Sequence, residues 1–239
     1  MKRGSAEVVD RRLVELCAEF GLEPRLVEPF RTVLDSLADQ HSPTAVREPW
    51  EGVDVHIADS LSCLKLSELV DFRGLIADIG SGCGLPGVVL AAALPSSRVV
   101  AVEAIGKKCE FISGMAAKAG ITNIKAVKSR AEEWSEGFGT YDVVTARALA
   151  PLPVLAEYAS PILKVGGVLI AWKGTPEASE YEAAKLAAGL LGMSEPVVTQ
   201  VKPWSESGLR DLVVMTKVAE TPRNFPRRAG IAVKRPLGS

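Results

Sequence analysis

Four cysteines and two histidines are spread over the 239 residues, and no C-x-x-C pair occurs among Cys17, Cys63, Cys83 and Cys109. That spacing argues against a zinc site and against a disulfide framework, so the expectation is no metal and a cytoplasmic location. Charge of one sign is also lacking: 28 lysines and arginines face 29 acids, a net −1 that excludes a protein holding polyanions by overall charge. Any nucleic-acid contact must be local. A membrane span is missing too. The longest uncharged stretch, Ile79 to Ser97, contains four glycines and two prolines and reads as a turn followed by a short helix. Near the start, Glu7, Asp10, Arg11 and Arg12 interrupt what a secretion signal would need as an apolar run. What is present, 47% hydrophobic and 24% charged residues, suits one core with an appendage. A monomer is expected.

Three segments differ in texture. Residues 1–72 read as a helical N-terminal extension. Val9, Leu13, Leu16, Cys17 and Phe20 fall on one helical stripe, and Leu26, Val27, Phe30, Val33, Leu34 and Leu37 on a second that comes after Pro24. A third helix is expected around Ile57, Leu61 and Leu64. Over residues 73–218, β-branched runs alternate with helical ones. The strand candidates are Leu75 to Ile79, Val99 to Glu103, Ile124 to Val127, Tyr141 to Thr145, Val168 to Trp172, Val197 to Val201 and Leu212 to Thr216. Helix-compatible stretches run from Pro86 to Leu94, Lys107 to Ala119 and Leu152 to Leu163, which implies an α/β, Rossmann-like seven-stranded sheet, mostly parallel. The last two strands are too close for a helical crossover and should form a hairpin, bringing in one antiparallel strand. Residues 219–239 form a basic C-terminal arm: Arg223, Arg227, Arg228, Lys234 and Arg235 occur there, with no acid from Thr221 onward, and Pro222, Pro226 and Pro236 predict an extended course.

The most informative segment is Asp78-Ile79-Gly80-Ser81-Gly82-Cys83-Gly84-Leu85-Pro86-Gly87, placed where the first strand meets a helix. Glycines let the backbone turn tightly and let a ligand approach, and the helix N-terminus is expected to offer unpaired N–H groups. In open parallel sheets this turn borders the cofactor crevice. Gly82, Gly84 and Gly87 satisfy the G-x-G-x-x-G of dinucleotide folds, with Glu103 ending strand two as a ribose-binding acid. Read from Asp78, the same residues give D-x-G-x-G-x-G, as in binders of S-adenosylmethionine (SAM). Glu103 serves both readings. Tyr141-Asp142-Val143-Val144 and Leu163-Lys164-Val165-Gly166-Gly167-Val168-Leu169, in that order downstream, favour the class I SAM-dependent methyltransferase core, with a NAD-dependent oxidoreductase as the alternative.

The residues after strand four narrow the acceptor. Enzymes that methylate exocyclic amines carry an N/D-P-P-Y/F/W loop where this chain has Thr145-Ala146-Arg147-Ala148-Leu149-Ala150-Pro151. Pyrimidine carbon 5 would need a cysteine nucleophile near the same place, yet every cysteine precedes residue 110. A ring nitrogen such as guanine N7 needs alignment rather than a base, and Arg147 could supply it as the hinge between cofactor and acceptor.

Further pieces complete an ordered set: His56-x-x-Asp59-Ser60, Lys107-Lys108, Ser129-Arg130-Ala131-Glu132-Glu133, Ala146-Arg147-Ala148, Trp172-Lys173-Gly174, and the tail Pro226-Arg227-Arg228-Ala229-Gly230 leading to Lys234-Arg235-Pro236-Leu237. Together with the glycine loop, the set resembles the bacterial 16S ribosomal RNA guanine-N7 methyltransferases called RsmG or GidB, over about residues 30 to 236. The resemblance implies SAM contacts at Gly80, Gly82, Gly84, Leu85, Glu103, Ala131, Glu132 and Arg147, with Arg147 catalytic. It places His56, Asp59, Ser60 and Lys173 near the active cleft, and implies RNA contacts by His56, Lys173, Arg223, Arg227, Arg228, Lys234 and Arg235. The implied partner is 16S rRNA or the small ribosomal subunit. A non-catalytic ribosome-assembly factor with a SAM pocket is a further alternative. One departure stands out: members commonly carry Asn-Leu-Thr where this chain has Ser42-Pro43-Thr44.

Overall fold

A computed structural model of the chain describes residues 6–174, 177–204 and 207–238. Its centre is a seven-stranded sheet in the order β3-β2-β1-β4-β5-β7-β6. The strands are β1 (Leu75–Ile79), β2 (Arg98–Glu103), β3 (Ile124–Lys128), β4 (Tyr141–Arg147), β5 (Leu163–Lys173), β6 (Val197–Val201) and β7 (Arg210–Thr216). The first five run parallel, and β7 lies antiparallel between β5 and β6. The expected hairpin is therefore present.

Alternation along each strand divides the interior in two. Ile76, Val99 and Ala101 point into one cluster and Ala77, Ile79, Val100 and Val102 into the other. The first cluster is covered by α5 (Gly87–Ala93) and α6 (Gly106–Lys118) together with the N-terminal helices α1 (Ala6–Glu19) and α2 (Val27–Ala38). The expected stripes are what they bury: Val9, Leu13, Leu16 and Cys17 on α1, and Phe30, Val33, Leu34 and Leu37 on α2. Pro24 opens a separate 3-10 turn, Pro24–Leu26, rather than α2 itself. The third helical region is less regular than its apolar spacing predicts. It runs through α3 (Pro49–Gly52), a π-helical turn (Val53–Ala58), α4 (Asp59–Leu61) and a 3-10 turn (Ser62–Leu66). Such wide turns recur at functional sites, and this one carries His56 and leads directly into Asp59.

The second cluster is covered by α7 (Leu152–Ile162) and α8 (Ala178–Leu191). Helix α8 has no counterpart in the pattern-based reading. Its buried face is Ala184, Ala187, Ala188 and Leu191, and three alanines make a weak apolar stripe. The arm also departs from expectation. Instead of running extended, it packs on this face, with Phe225 against the second cluster and a short helix α9 (Ile231–Lys234) that buries Ala232. Pro226 lies before α9, where it breaks no helix, so its presence does not forbid one.

Candidate methyl-donor cleft

At the C-terminal ends of β1, β2 and β4, and beside the loop after β3, lies a cleft of about 510 Å³. That volume is in the range of small-molecule sites. The loop after β1 forms one side. Gly80, Gly82 and Gly84 all have positive φ, at 65°, 58° and 95°. A Cβ on Gly80 would meet Leu149 Cδ1 at 2.5 Å, whereas at Gly82 the nearest atom would be Gly80 O at 3.9 Å, leaving that direction open. Gly80 therefore accommodates the far wall, and Gly82 leaves room for a ligand.

Two carboxylates fix this side. Glu103, the last residue of β2, accepts from Gly82 N–H at 3.0 Å through Oε2 and from Ile105 N–H at 2.9 Å through Oε1. Each oxygen keeps a further lone pair for a hydroxyl donor. Asp78, 1% exposed, accepts from Thr145 Oγ1 at 2.9 Å and from Gly87 N–H at 3.1 Å. Burial pushes the Asp78 carboxyl up to about 6. The expectation of unpaired donors at the helix N-terminus is corrected here. Gly87 N–H, the first of α5, is capped by Asp78, while Gly80 and Ser81 donate to Val102 O and Gly84 and Leu85 to Ser81 O.

Opposite the loop, β4 ends in Arg147, and Ala148 comes next with φ 53°. A left-handed alanine costs roughly 1–2 kcal/mol. The chain then continues through Leu149 and Ala150, which both line the cleft. Arg147 Nη1 donates to Asp59 Oδ2 at 2.9 Å and more weakly to Val55 O at 3.4 Å. Arg210, at the start of β7, donates through Nε to the other Asp59 oxygen at 2.8 Å. Asp59 is thus shared by two guanidinium groups, and Trp172 Nε1 donates to its backbone carbonyl at 2.8 Å. Arg210 was not visible to sequence reasoning, since it belongs to no motif and precedes the apolar run that marks its strand.

The structure brings Gly80, Gly82, Leu85, Glu103, Ala131, Glu132 and Arg147 to one cleft. Gly84 lies just behind it, where a Cβ would meet Met115 Cε and Val88 Cγ2 at 3.0 Å; its role is helix packing. Glu132 is engaged on its outer side, accepting from Gly230 N–H at 3.2 Å.

The residues expected at RNA divide. Arg223, Arg228, Lys234 and Arg235 are exposed. Three others face inward. His56 is buried, with Nε2 3.0 Å from Val46 O, and desolvation lowers its pKa, so it is a neutral structural ring rather than a surface contact. Lys173 pairs with Glu180 at 2.7 Å, and the same carboxylate caps α7 by accepting from Leu152 N–H at 2.8 Å. Arg227 donates through Nε to Glu157 at 2.9 Å. Each is taken up by a partner that burial requires it to satisfy. In the divergent segment, Pro43 lines the cleft, Thr44 Oγ1 is 3.5 Å from His56 Nε2, and Ser42 Oγ is buried without a hydrogen-bond partner.

The strand order, with its antiparallel β7, and the acid-terminated β2 beside a glycine loop define the class I methyltransferase fold. A SAM-dependent methyltransferase from Aquifex aeolicus superimposes with a TM-score of 0.53, covering 77% of this chain and 97% of that one at 15% identity. An O-methyltransferase from Thermotoga maritima gives 0.51 at 16% identity, covering 80% and 72%. These two establish the fold only. A family model described as rRNA small subunit methyltransferase G, or GidB, matches residues 25–207. Proteins named ribosomal RNA small subunit methyltransferase G are similar over most of the chain: that of Rubrobacter xylanophilus is 41% identical, covering 80% of this chain and 75% of its own, and that of Chloroflexus aggregans 36% identical, covering 95% and 98%. The chain belongs to the GidB family of rRNA small subunit methyltransferases.

Proposed function

We propose that the protein transfers a methyl group from SAM to N7 of a guanine in 16S rRNA. The observation that carries the choice of cofactor is the capping of α5 by Asp78. A dinucleotide places its pyrophosphate on free N–H groups at this helix N-terminus. Here a buried carboxylate holds Gly87 N–H, so an anionic pyrophosphate would meet an acid where it needs a donor. A cationic sulfonium ligand has no such conflict. The residues present fit SAM in other respects: the open direction at Gly82 admits it, and Glu103 is already oriented by two backbone donors to receive the ribose hydroxyls.

When bound, SAM supplies an electrophilic methyl group on its sulfur. The chain's own task is then alignment. Guanine N7 has an in-plane lone pair and no proton, so the transfer asks for no general base, and His56, buried and committed to Val46 O, is not needed as one. Arg147 is the positioning group for the acceptor, with its guanidinium steadied by Asp59. Holding reactants in line accounts for several kcal/mol of a barrier. The exposed arm residues Arg223, Arg228, Lys234 and Arg235 supply phosphate contacts.

The test is incubation with radiolabelled SAM and small-subunit rRNA, then nuclease digestion and mass analysis. The expected product is 7-methylguanosine, and a label on any other nucleoside would refute the acceptor. Arg147→Ala should lower turnover about 10²–10³-fold while circular dichroism stays native. Near-normal turnover by that variant would refute the role given to Arg147.

A further inference from the structure

The C-terminal segment is anchored repeatedly across the α7 face before it reaches the cleft. Phe225 packs against the second core cluster. Arg227 donates to Glu157 from its backbone N–H at 3.0 Å and from its guanidinium. Gly230 N–H is held by Glu132, and Ala232 is buried. These contacts fix the position of the next residue, Val233, which lines the cleft.

Val233 is 57% exposed although its side chain is wholly apolar. Leu149, across the same cleft, is also exposed. Leu149 lies over Gly80 on the glycine loop, whereas Val233 follows Gly230, whose N–H is held by Glu132, so Val233 belongs to the part of the cleft that Ala131 and Glu132 line. Apolar groups left in water on the walls of a cleft gain by covering a flat apolar face. Of the SAM molecule, only the purine offers such a face; its amino-acid end is charged and its ribose is polar.

We infer that Val233 is a donor-binding residue, forming the wall against which the SAM purine packs, and that the C-terminal segment is thereby part of the cofactor site. This rests on the reading of the cleft as the SAM site. Glu132 then acts through the segment: its carboxylate holds Gly230 rather than the cofactor.

Calorimetric titration of the full chain decides it, with SAM and with methylthioadenosine, which keeps the purine and lacks the amino acid. Val233→Asp should raise Kd for both ligands about tenfold, and Val233→Ala about threefold, with the melting temperature unchanged because the side chain is exposed. SAM should also slow amide hydrogen exchange over residues 231–235 in the unaltered protein. A Kd within twofold of the unaltered protein for Val233→Asp overturns the inference, and so does unchanged exchange on SAM binding. If Val233→Asp melts early, Val233→Ala decides by its own Kd, and an unchanged value overturns the inference. Failure of the unaltered protein to bind SAM would overturn the cleft assignment itself, an outcome distinct from loss confined to the Val233 variants.

Discussion

The two sides of the cleft are held by different physics. On the loop side, Asp78 and Glu103 bind backbone N–H groups 9 and 21 residues away, and the geometry comes from a strand end, a turn and a helix start. On the segment side, Arg227 reaches Glu157 across 70 residues and Gly230 reaches Glu132 across 98. Backbone capping sets most of the first wall, with one longer link, Thr145 to Asp78, across 67 residues. Long-range carboxylate contacts set the second, so its position depends on α7 and the loop after β3 being formed already.

Breaking each wall should therefore give different phenotypes. The largest effect is expected at Gly82→Val. Its side chain would project into open cleft space at a φ of 58°, so SAM affinity should fall about a thousandfold in calorimetry, with only about 1–2 kcal/mol of backbone strain in the fold. Loss of folding with affinity intact would invert the comparison. Next, Arg227→Ala leaves the 1%-exposed Glu157 carboxylate without its guanidinium. Stability should drop by about 3 kcal/mol, a fall near 10 °C by scanning calorimetry. A change below about 2 °C would mean the segment is not anchored as described.

Slightly smaller is the pH effect of Asp78. Its carboxyl is raised from an ordinary 3.8 to about 6 by burial. A group that holds its proton more tightly in the fold stabilises it when protonated, and that contribution is lost as pH rises from roughly 4 to 6. The stability difference between the unaltered protein and Asp78→Asn should fall by about 2–3 kcal/mol between pH 4 and pH 7 in denaturant titrations. A flat difference would show that the loop side does not carry this cost. Smallest is Arg228→Ala: its exposed cation should contribute about one to the slope of log affinity for rRNA against log salt. An unchanged slope would remove Arg228 from the RNA contact.

The loop side could be read from the sequence because its determinants are contiguous. Asp78, the glycines and Glu103 sit at strand ends that β-branched runs already mark; six strands appear within two residues of their expected bounds, and β5 begins at Leu163, five residues before its expected start at Val168. Helix α8 was hidden by its alanine face, and Arg210 by the absence of any local pattern. The arm misled for a physical reason: its prolines predicted an extended course and its five cations RNA contacts, but nothing local announces that Glu157 and Glu132 wait elsewhere in the chain. Charge counts report what a segment carries and not what it meets. The same holds for His56 and Lys173, whose partners Val46 O and Glu180 are fixed only by tertiary packing.

Asp59 gives the resting enzyme a built-in counter-ion. With both of its oxygens engaged by Arg147 and Arg210, neither guanidinium waits bare for stray anions. On the proposed reading, a phosphate that reaches either guanidinium competes with a carboxylate that belongs to the helical layer, so binding there is an exchange of anions, and a weakly matched partner gains little from the swap.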